Sequence, residues 1–498
     1  MNRVTAVFVA LLGCFLAVAG AAGQDLPGGA GSVALSLGEA LGRALGDSEE
    51  VRLARARAEM AEAQVGVARS AALPQINTQL SYTKTLRSVF QSAGGGFDLP
   101  DSLRFEPDPT APLEERVEYL EDRVPSAALG ALGSLFSDLP FGNENAWLAA
   151  VSVSQPLFTG GRISSSIRMA AEGAEAARAG LDEARSDVAL EVKRAYYDAV
   201  LAARMEEIVG QSVALAEDHL DQVRLRLDAG RASELEALRA EVELENLRPL
   251  LIEARTGRDL AVLELKRLVN LPAEVQVTLT TELDATTSAG GQLAAFELPA
   301  VEVADRLLAQ RAAVRAAESQ VQVREEQVDV ARSAYLPNLA FTGNFARQAF
   351  PTQFSFPSGG EWRDDWTVGL AVQWPLFQGL RRSAEVEAAK AQVSESRLQL
   401  AQLQEGVRLE YRQAGSELER AQARIGAAAR TAEQAARVYE LTELRFEEGL
   451  ATQLDVSDAR LALQQARMNQ VQAYHAAYTA LAAAERALGL PLEESTLP

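Results

Sequence analysis

The residues able to do chemistry are few: the carboxylate pair Asp455 and Asp458, the histidines His219 and His475, and the single cysteine Cys14. One cysteine excludes a disulfide within the chain, and two histidines do not supply a His/Cys cluster of the kind that holds a metal. No phosphate-binding loop, dinucleotide fingerprint, nucleophile elbow or histidine base beside a nucleophile occurs, so neither an enzyme nor a cofactor is expected. A formal charge of −21 argues against nucleic acid as a partner. Asp455 and Asp458 stand three apart where a helix begins after Gly449, and acidic residues are common at a helix start. What else they could do depends on the elements that position them.

The 498 residues are 48% hydrophobic and 23% charged, enough to bury a large core. The first residues carry one early Arg, an apolar run from about Val7 to Val18, and small residues at Ala19 to Gly23. This is the form of a secretory signal, with cleavage expected near Ala21 to Gly23. Leu11-Leu12-Gly13-Cys14 loosely resembles a lipobox, which makes Cys14 an alternative lipidation site. The apolar run continues past it, however, and this favours ordinary cleavage. No later run is apolar enough to predict a transmembrane helix.

The chain repeats itself. Pro156 and Pro375 lie 219 positions apart, and so do Arg162 and Arg381, Gly230 and Gly449, and Leu271-Pro272 and Leu490-Pro491. Upstream, ARSAALPQI at Ala68 to Ile76 matches ARSAYLPNL at Ala331 to Leu339 at an offset of 263, so the first copy holds an insertion between Pro74 and Pro156. The mature chain is therefore a tandem duplication.

Each copy reads as helix, strand, loop, strand, long helix, turn, helix. Ser36 to Glu39 and Asp47 to Glu50 predict capped helices, the second ending just before Pro74. The period then changes from 3.6 to 2. Ile76, Thr78, Leu80 and Tyr82 alternate with polar neighbours, as do Trp147, Ala149, Val151 and Val153. In the second copy Leu339, Phe341, Gly343 and Phe345, and then Val368, Leu370, Val372 and Trp374, follow the same rule. Strands of about ten residues with one apolar face have the pattern of a membrane β-barrel wall, yet four strands cannot close a barrel, so several chains are required. From Arg162 to about Leu227, Ile163, Ile167, Ala170, Ala174, Ala177, Leu181, Ala184 and Val188 form a small-residue heptad seam. Val386, Ala389, Val393, Leu400, Leu403 and Val407 form its counterpart. At about 1.5 Å per residue such a helix is a rod of about 100 Å.

PLFTGGR and PLFQGLR after a strand, ARSAALP and ARSAYLP before one, and RLDAGRASELEALRAE matched with RFEEGLATQLDVSDAR at the helical turn together resemble the outer-membrane efflux protein family, the TolC-like channel-tunnels. The resemblance implies a membrane α+β fold. Three chains would contribute four strands each to a 12-stranded transmembrane β-barrel, continued by a long periplasmic α-helical barrel. It implies the outer membrane of a Gram-negative bacterium as the location, and lipid, a periplasmic adaptor (membrane fusion) protein and an inner-membrane pump of proton-driven or ATP-binding type as partners. On this reading the chain is the exit duct of a tripartite efflux or type I secretion system. The alternative is a periplasmic or surface coiled-coil scaffold with no channel.

The expected division is a signal segment 1–23, N-terminal helices 24–73, a first hairpin with a large extracellular loop 74–156, and a first helix-turn-helix 157–272. A linker 273–298, a single helix 299–336, a second hairpin 337–375, a second helix-turn-helix 376–491 and a tail 492–498 follow. Pro156, Gly160, Gly161, Pro375 and Gly379 are the expected strand-to-helix hinges, with proline ending the ladder. The resemblance makes Asp455 and Asp458 candidates for a periplasmic constriction ring, where threefold symmetry would raise carboxylate pKa values by mutual repulsion. Arg226, Gly230, Ala232, Ser233 and Leu235, with Arg445, Gly449, Ala451, Thr452 and Leu454, become the adaptor-docking tips. The family's latch residues are absent: Ala451 and Ala232 stand where a basic residue is expected, and Phe446 replaces an aromatic hydroxyl. Closure is therefore expected to rest on packing or on charges such as Arg231 with Glu447 or Glu448.

Overall fold

The computed structural model describes residues 33–86, 108–121, 144–280, 293, 299 and 301–489. The expected signal segment with Cys14, most of the first large loop, much of the expected linker and the expected C-terminal tail lie outside the described residues. The first repeat contains β1 (Val33–Leu35), α1 (Leu37–Asp47), α2 (Glu49–Ser70), β2 (Gln75–Lys84), β3 (Asn145–Phe158), α3 (Arg162–Asp228) and α4 (Glu234–Leu268). The second contains β4 (Val277–Leu279), α5 (Val301–Gln310), α6 (Ala312–Ser333), β5 (Asn338–Ala349), β6 (Arg363–Gln373), α7 (Arg381–Glu447) and α8 (Gln453–Leu488). A short helix over 113–121 stands within the first large loop.

The helix starts follow their caps. Ser36 and Glu39 form a reciprocal capping box on α1, and the Ser48 hydroxyl accepts from the Val51 N–H on α2. The long helices α3 and α7 are each 67 residues, about 100 Å of rod, and begin at Arg162 and Arg381 as the repeat predicts. Every seam position named above is buried or half-buried. Helix α4 returns along α3, and α8 returns along α7; α2 and α6 pack on the half of α3 nearest the strands. Ion pairs Arg178–Glu62, Arg168–Glu326 and Arg397–Glu325 accompany that packing, but all are exposed enough for solvent to screen them.

The expected single helix 299–336 is corrected to two, α5 and α6, broken at Arg311. The break lets Arg311 turn into a buried ion cluster. Its guanidinium donates to Glu183 on α3 at 3.0 Å and to Glu410 on α7 at 2.6 Å, and Arg486 on α8 holds the same two carboxylates.

The main core is a belt at the middle of the rods, built from Val192, Tyr196, Ala199, Leu418, Tyr474, Ala477 and Leu481 with Leu41 and Ala44 of α1. A parallel pair, β1 on β4, closes one side of it, with Leu35 opposite Leu279. The Tyr196 hydroxyl donates to the Leu35 carbonyl, which satisfies the one polar atom a buried tyrosine brings. Neither short strand is expected from the sequence.

The remaining strands form one antiparallel sheet in the order β2-β3-β5-β6. Register places Ile76, Val153, Gly343 and Val368 on one line, and Thr78, Val151, Phe345 and Trp366 on another. That face is apolar. The opposite face carries Asn77, Ser152, Asn344 and Thr367. Proline does not end the first ladder: β3 runs through Pro156, which lies opposite Ala340, and stops after a bulge at Phe158. A bulge tolerates the missing N–H. In the second copy β6 does end at Gln373, before Pro375.

Beyond both strands the backbone turns through the left-handed region, at Gly160 and Gly161 in one copy and at Gly379 and Leu380 in the other. Gly160 has a second constraint, because a Cβ there would lie 2.7 Å from Leu336 Cβ and 2.8 Å from the Ser333 carbonyl. The space around Gly379 is open. Gly160→Ala is expected to cost about 3 kcal/mol, left-handed strain plus overpacking, and Gly379→Ala about 1 kcal/mol. Thermal unfolding of the two variants side by side checks the difference.

Candidate functional site

Two helical turns meet at the end of the rods away from the sheet. In each, the last turn of a long helix closes on a left-handed glycine, Gly230 at φ 68 and Gly449 at φ 72. Backbone bonds Arg231 N to Arg226 O and Leu450 N to Arg445 O, both 2.7 Å, complete the turns. The next helices start on capping boxes, Ser233 with Glu236 and Thr452 with Asp455. Leu235 and Leu454 project to solvent just beyond.

This capping defines Asp455. Its carboxylate accepts from the Thr452 N–H and hydroxyl, each at 2.7 Å. Within one chain these bonds hold the carboxyl below the usual carboxylate range, the opposite direction to that expected from repulsion in a ring. Asp458, one turn on, is exposed. The duplication shows what the sequence reading overlooked: at the same offset Glu236 is the counterpart of Asp455, whereas Arg239 is the counterpart of Asp458. Of these two positions, only the second differs in charge between the turns.

The hairpins α3/α4 and α7/α8 are joined near the turns by side-chain contacts. Arg226 donates to the carbonyls of Phe446 at 3.0 Å and Glu447 at 3.4 Å, with its guanidinium carbon 4.3 Å above the Phe446 ring. Arg226 makes this link, in place of the expected Arg231. Deeper in, Glu243 of α4 accepts from the buried Arg460 of α8 and from the Ser457 hydroxyl, the latter at 2.6 Å. Phe446 packs with Val223, Tyr439, Val456, Ala459 and Leu463, and Ala232 and Ala451 lean on the same cluster. Ala232, Ala451 and Phe446, the positions at which the resemblance implies a latch, are thus part of one apolar cluster. Glu243 and Arg460 were missed from sequence, although Arg460 is a cation inside the Val456, Ala459, Leu463 stripe, and that misfit was the available signal.

His219 belongs to the same cluster, 5.1 Å from the Phe446 ring, and its Nε2 is buried without a partner. Burial lowers its pKa, the nearby Glu243 opposes this, and Arg460 and Arg226 add to the lowering. The folded state therefore favours the neutral ring, and the stability this contributes is complete above about pH 6.5 and is lost as pH falls through the lower folded value. His219→Leu is expected to raise the thermal midpoint slightly at pH 7.5, by roughly 1 kcal/mol for removal of the unpaired nitrogen. The gain should be larger at pH 5.5, which melting curves at both pH values would show.

At the other end, the apolar sheet face is open: Ile76, Leu80, Trp366, Val368, Leu370 and Val372 are each more than 60% exposed. Leu376 and Phe377 of the second hinge, and Leu157 and Phe158 of the first, extend the apolar surface to the start of the rods. A sheet with one apolar and one polar face has the alternation of a membrane β-barrel wall.

The model of the outer membrane efflux protein family matches residues 122–271 and 303–490, more than half of the chain. The chain belongs to that family. It is 26% identical over 350 residues to the fusaric acid resistance protein FusA of Burkholderia cepacia, covering 69% of this chain and 56% of the relative. It is likewise 26% identical over 337 residues to the cobalt-zinc-cadmium resistance protein CzcC of Cupriavidus metallidurans, covering 67% of this chain and 75% of that one. For FusA and for the nickel-cobalt-cadmium resistance protein NccC of Alcaligenes xylosoxydans, the matched segment spans little more than half the relative's own length, 56% and 53%. Among solved structures, the CmeC outer membrane channel of Campylobacter jejuni superposes with a TM-score of 0.68 at 18% identity, over 92% of this chain and 87% of that chain. The open state of the MtrE channel of Neisseria gonorrhoeae gives 0.69 at 19% identity, over 92% and 89%. The fold is that of these channels, and this efflux family protein is an outer-membrane protein whose helices extend across the periplasm.

Proposed function

We propose that this efflux family protein is one of three identical subunits of an exit duct, each giving four strands to a twelve-stranded barrel. Its helices form the periplasmic tunnel, and substrates pass through it without any energy source of its own. A periplasmic adaptor and an inner-membrane pump, driven by protons or by ATP, deliver the cargo. The observation that carries this reading is the sheet: its apolar face is exposed and its edges β2 and β6 have no neighbour within the described chain, so it is complete only among further copies in lipid. Exposed leucines along α4, among them Leu238, Leu250 and Leu260, likewise ask for a neighbouring chain.

The turns at Gly230 and Gly449, with exposed Leu235 and Leu454, are the surface offered to the adaptor. Closed, the tip is held by the Arg226 and Arg460 links and the Phe446 cluster. Asp455 and Asp458 gather around the axis and favour cations over anions. Relatives are named for resistance to fusaric acid and to cobalt, zinc and cadmium, so family membership alone selects no cargo class.

The test is current through planar bilayers holding the purified protein. Stepwise, cation-preferring conductance is expected. Asp455→Asn with Asp458→Asn should lower the cation preference, while the amide oxygen introduced at the first position still accepts the Thr452 bonds. A protein that leaves the membrane without detergent and gives no current steps would support the coiled-coil scaffold.

A further inference from the structure

The connection between β5 and β6, residues 350–362, does not rise from the sheet. It folds back over the apolar face. The Asn145 amide, 3% exposed, donates to the carbonyls of Pro351 and Thr352 at 3.2 Å each, and its oxygen accepts from the Tyr82 hydroxyl at 2.7 Å. The Trp147 indole N–H donates to the Ser355 carbonyl at 3.1 Å. Tyr82, Asn145 and Trp147 share the apolar face with Leu80, Val151 and Val153 in the strand register. The connection therefore crosses β3 and reaches β2 on that side.

Its aromatic residues then lie outward. Phe354 stacks edge-on against Tyr82 at 5.0 Å, and Phe356 against Trp147 at 5.3 Å, yet they remain 73% and 68% exposed. The carbonyls of this small platform accept from Asn145 and Trp147, while its phenylalanine rings rest on Tyr82 and Trp147 and leave most of their surface exposed. Below it, on the β5/β6 side, Arg347 and Asp364 pair at 2.6 Å on the same face and interrupt the apolar band. An ion pair there belongs at headgroup depth, and aromatic rings with hydrogen-bonded polar tips have the chemistry of a membrane interface.

We propose that this connection is a lipid-side anchor and not a lid over the duct, with Phe354 and Phe356 seated in the headgroup interface of the outer leaflet. The occupant is a lipid surface because the patch continues the exposed apolar band of β2, β3, β5 and β6. The proposal rests on that band facing lipid, so the test includes a strand position as a control.

A nitroxide is attached to Phe354→Cys, Phe356→Cys, Ser358→Cys and Leu370→Cys in the full chain in phosphatidylcholine vesicles, with the parent chain, whose one cysteine is Cys14, as the blank. Relaxation by oxygen and by a water-soluble nickel complex is compared. The expected result is an oxygen-to-nickel ratio severalfold higher at 354, 356 and 370 than at 358. A lipid-like ratio at 370 with a water-like ratio at 354 and 356 overturns the anchor and leaves the barrel wall intact. Low access to both reagents at 354 and 356 overturns it in favour of cover by a neighbouring subunit across the β2 edge. A water-like ratio at 370 as well overturns both the anchor and the wall. Should the cysteine variants misfold, Phe356→Trp replaces them: a clear excess of quenching by brominated lipid over the parent chain is expected, and no excess overturns the anchor.

Discussion

Arg311→Ala is expected to lower stability by about 3 kcal/mol, read as a fall in the thermal midpoint of the detergent-solubilised protein. Arg311 is 5% exposed and joins Glu183 of α3 to Glu410 of α7, while the Ala313 N–H also reaches Glu183 at 3.2 Å. Removing the cation leaves two carboxylates converging on Arg486 alone, and leaving a buried charge uncompensated costs more than the pair ever contributed. The Glu410 side chain is 38% exposed, so solvent screening keeps the loss at the lower end of the usual range. Arg315→Ala is the control. Its partner Asp182 is 46% exposed at 3.0 Å, and the loss there should stay within about 0.5 kcal/mol.

The same cluster dictates an acid response. Burial pushes the Glu410 carboxyl up, but hydrogen bonds and charge from Arg311 and Arg486 outweigh it and hold the folded value below 4.5. A depressed carboxylate contributes stability that is complete above its unfolded value and is lost as pH falls through the folded one. As pH falls from about 5 to about 3 the parent protein should therefore lose more stability than Arg311→Ala, whose Glu410 has less to lose.

The second large effect is at the tip. Arg460→Ala breaks the link from α8 to Glu243 of α4, a contact in which Arg460 is 7% and Glu243 25% exposed. On the duct reading, single-channel conductance should rise severalfold as the two hairpins separate, and the protein should also lose roughly 3 kcal/mol from the stranded Glu243. The double variant Glu243→Gln with Arg460→Met separates these effects. No charge is left buried, so stability should return most of the way, while the cross-hairpin link stays broken and conductance stays high. Conductance returning to the parent level in the double variant would mean that Arg460 stabilises the tip without holding it shut.

Much of the fold was legible because its signals are local. The long helices begin where a glycine turn meets a 3.6-residue period, and the equal offset of Arg162 and Arg381 carried the boundary from one copy to the other. The strand faces followed from strict alternation. By contrast, β1 and β4 are three residues each and pair across most of the first repeat, so neither periodicity nor turn residues announce them. Pro156 reads as the end of a ladder because a missing N–H usually ends one, yet the bulge beside it accommodates the gap. At the tip, the glycines and caps were plain, but the charges that join the hairpins were not. Arg226 and Arg231 look alike in sequence, and only the approach of the ends of α3 and α7 decides which one reaches Phe446. The division of roles between Glu243 and Arg460 depends on two helices meeting, which no local pattern records.

The order and direction of the four strands have a consequence for symmetry. Strands β2 and β6 end an alternating, even-numbered run, so they point in opposite directions, and β2 of one copy can continue the alternation beside β6 of the next. Such joining is head-to-tail, and where its rotation closes it makes a ring about a single axis, with unlike surfaces meeting at every seam. A twofold arrangement, edge against identical edge, would turn one copy upside down and send its rods the wrong way. Polarity is therefore written into the strand count: every copy in a closed ring carries its pair of helical turns to the same end.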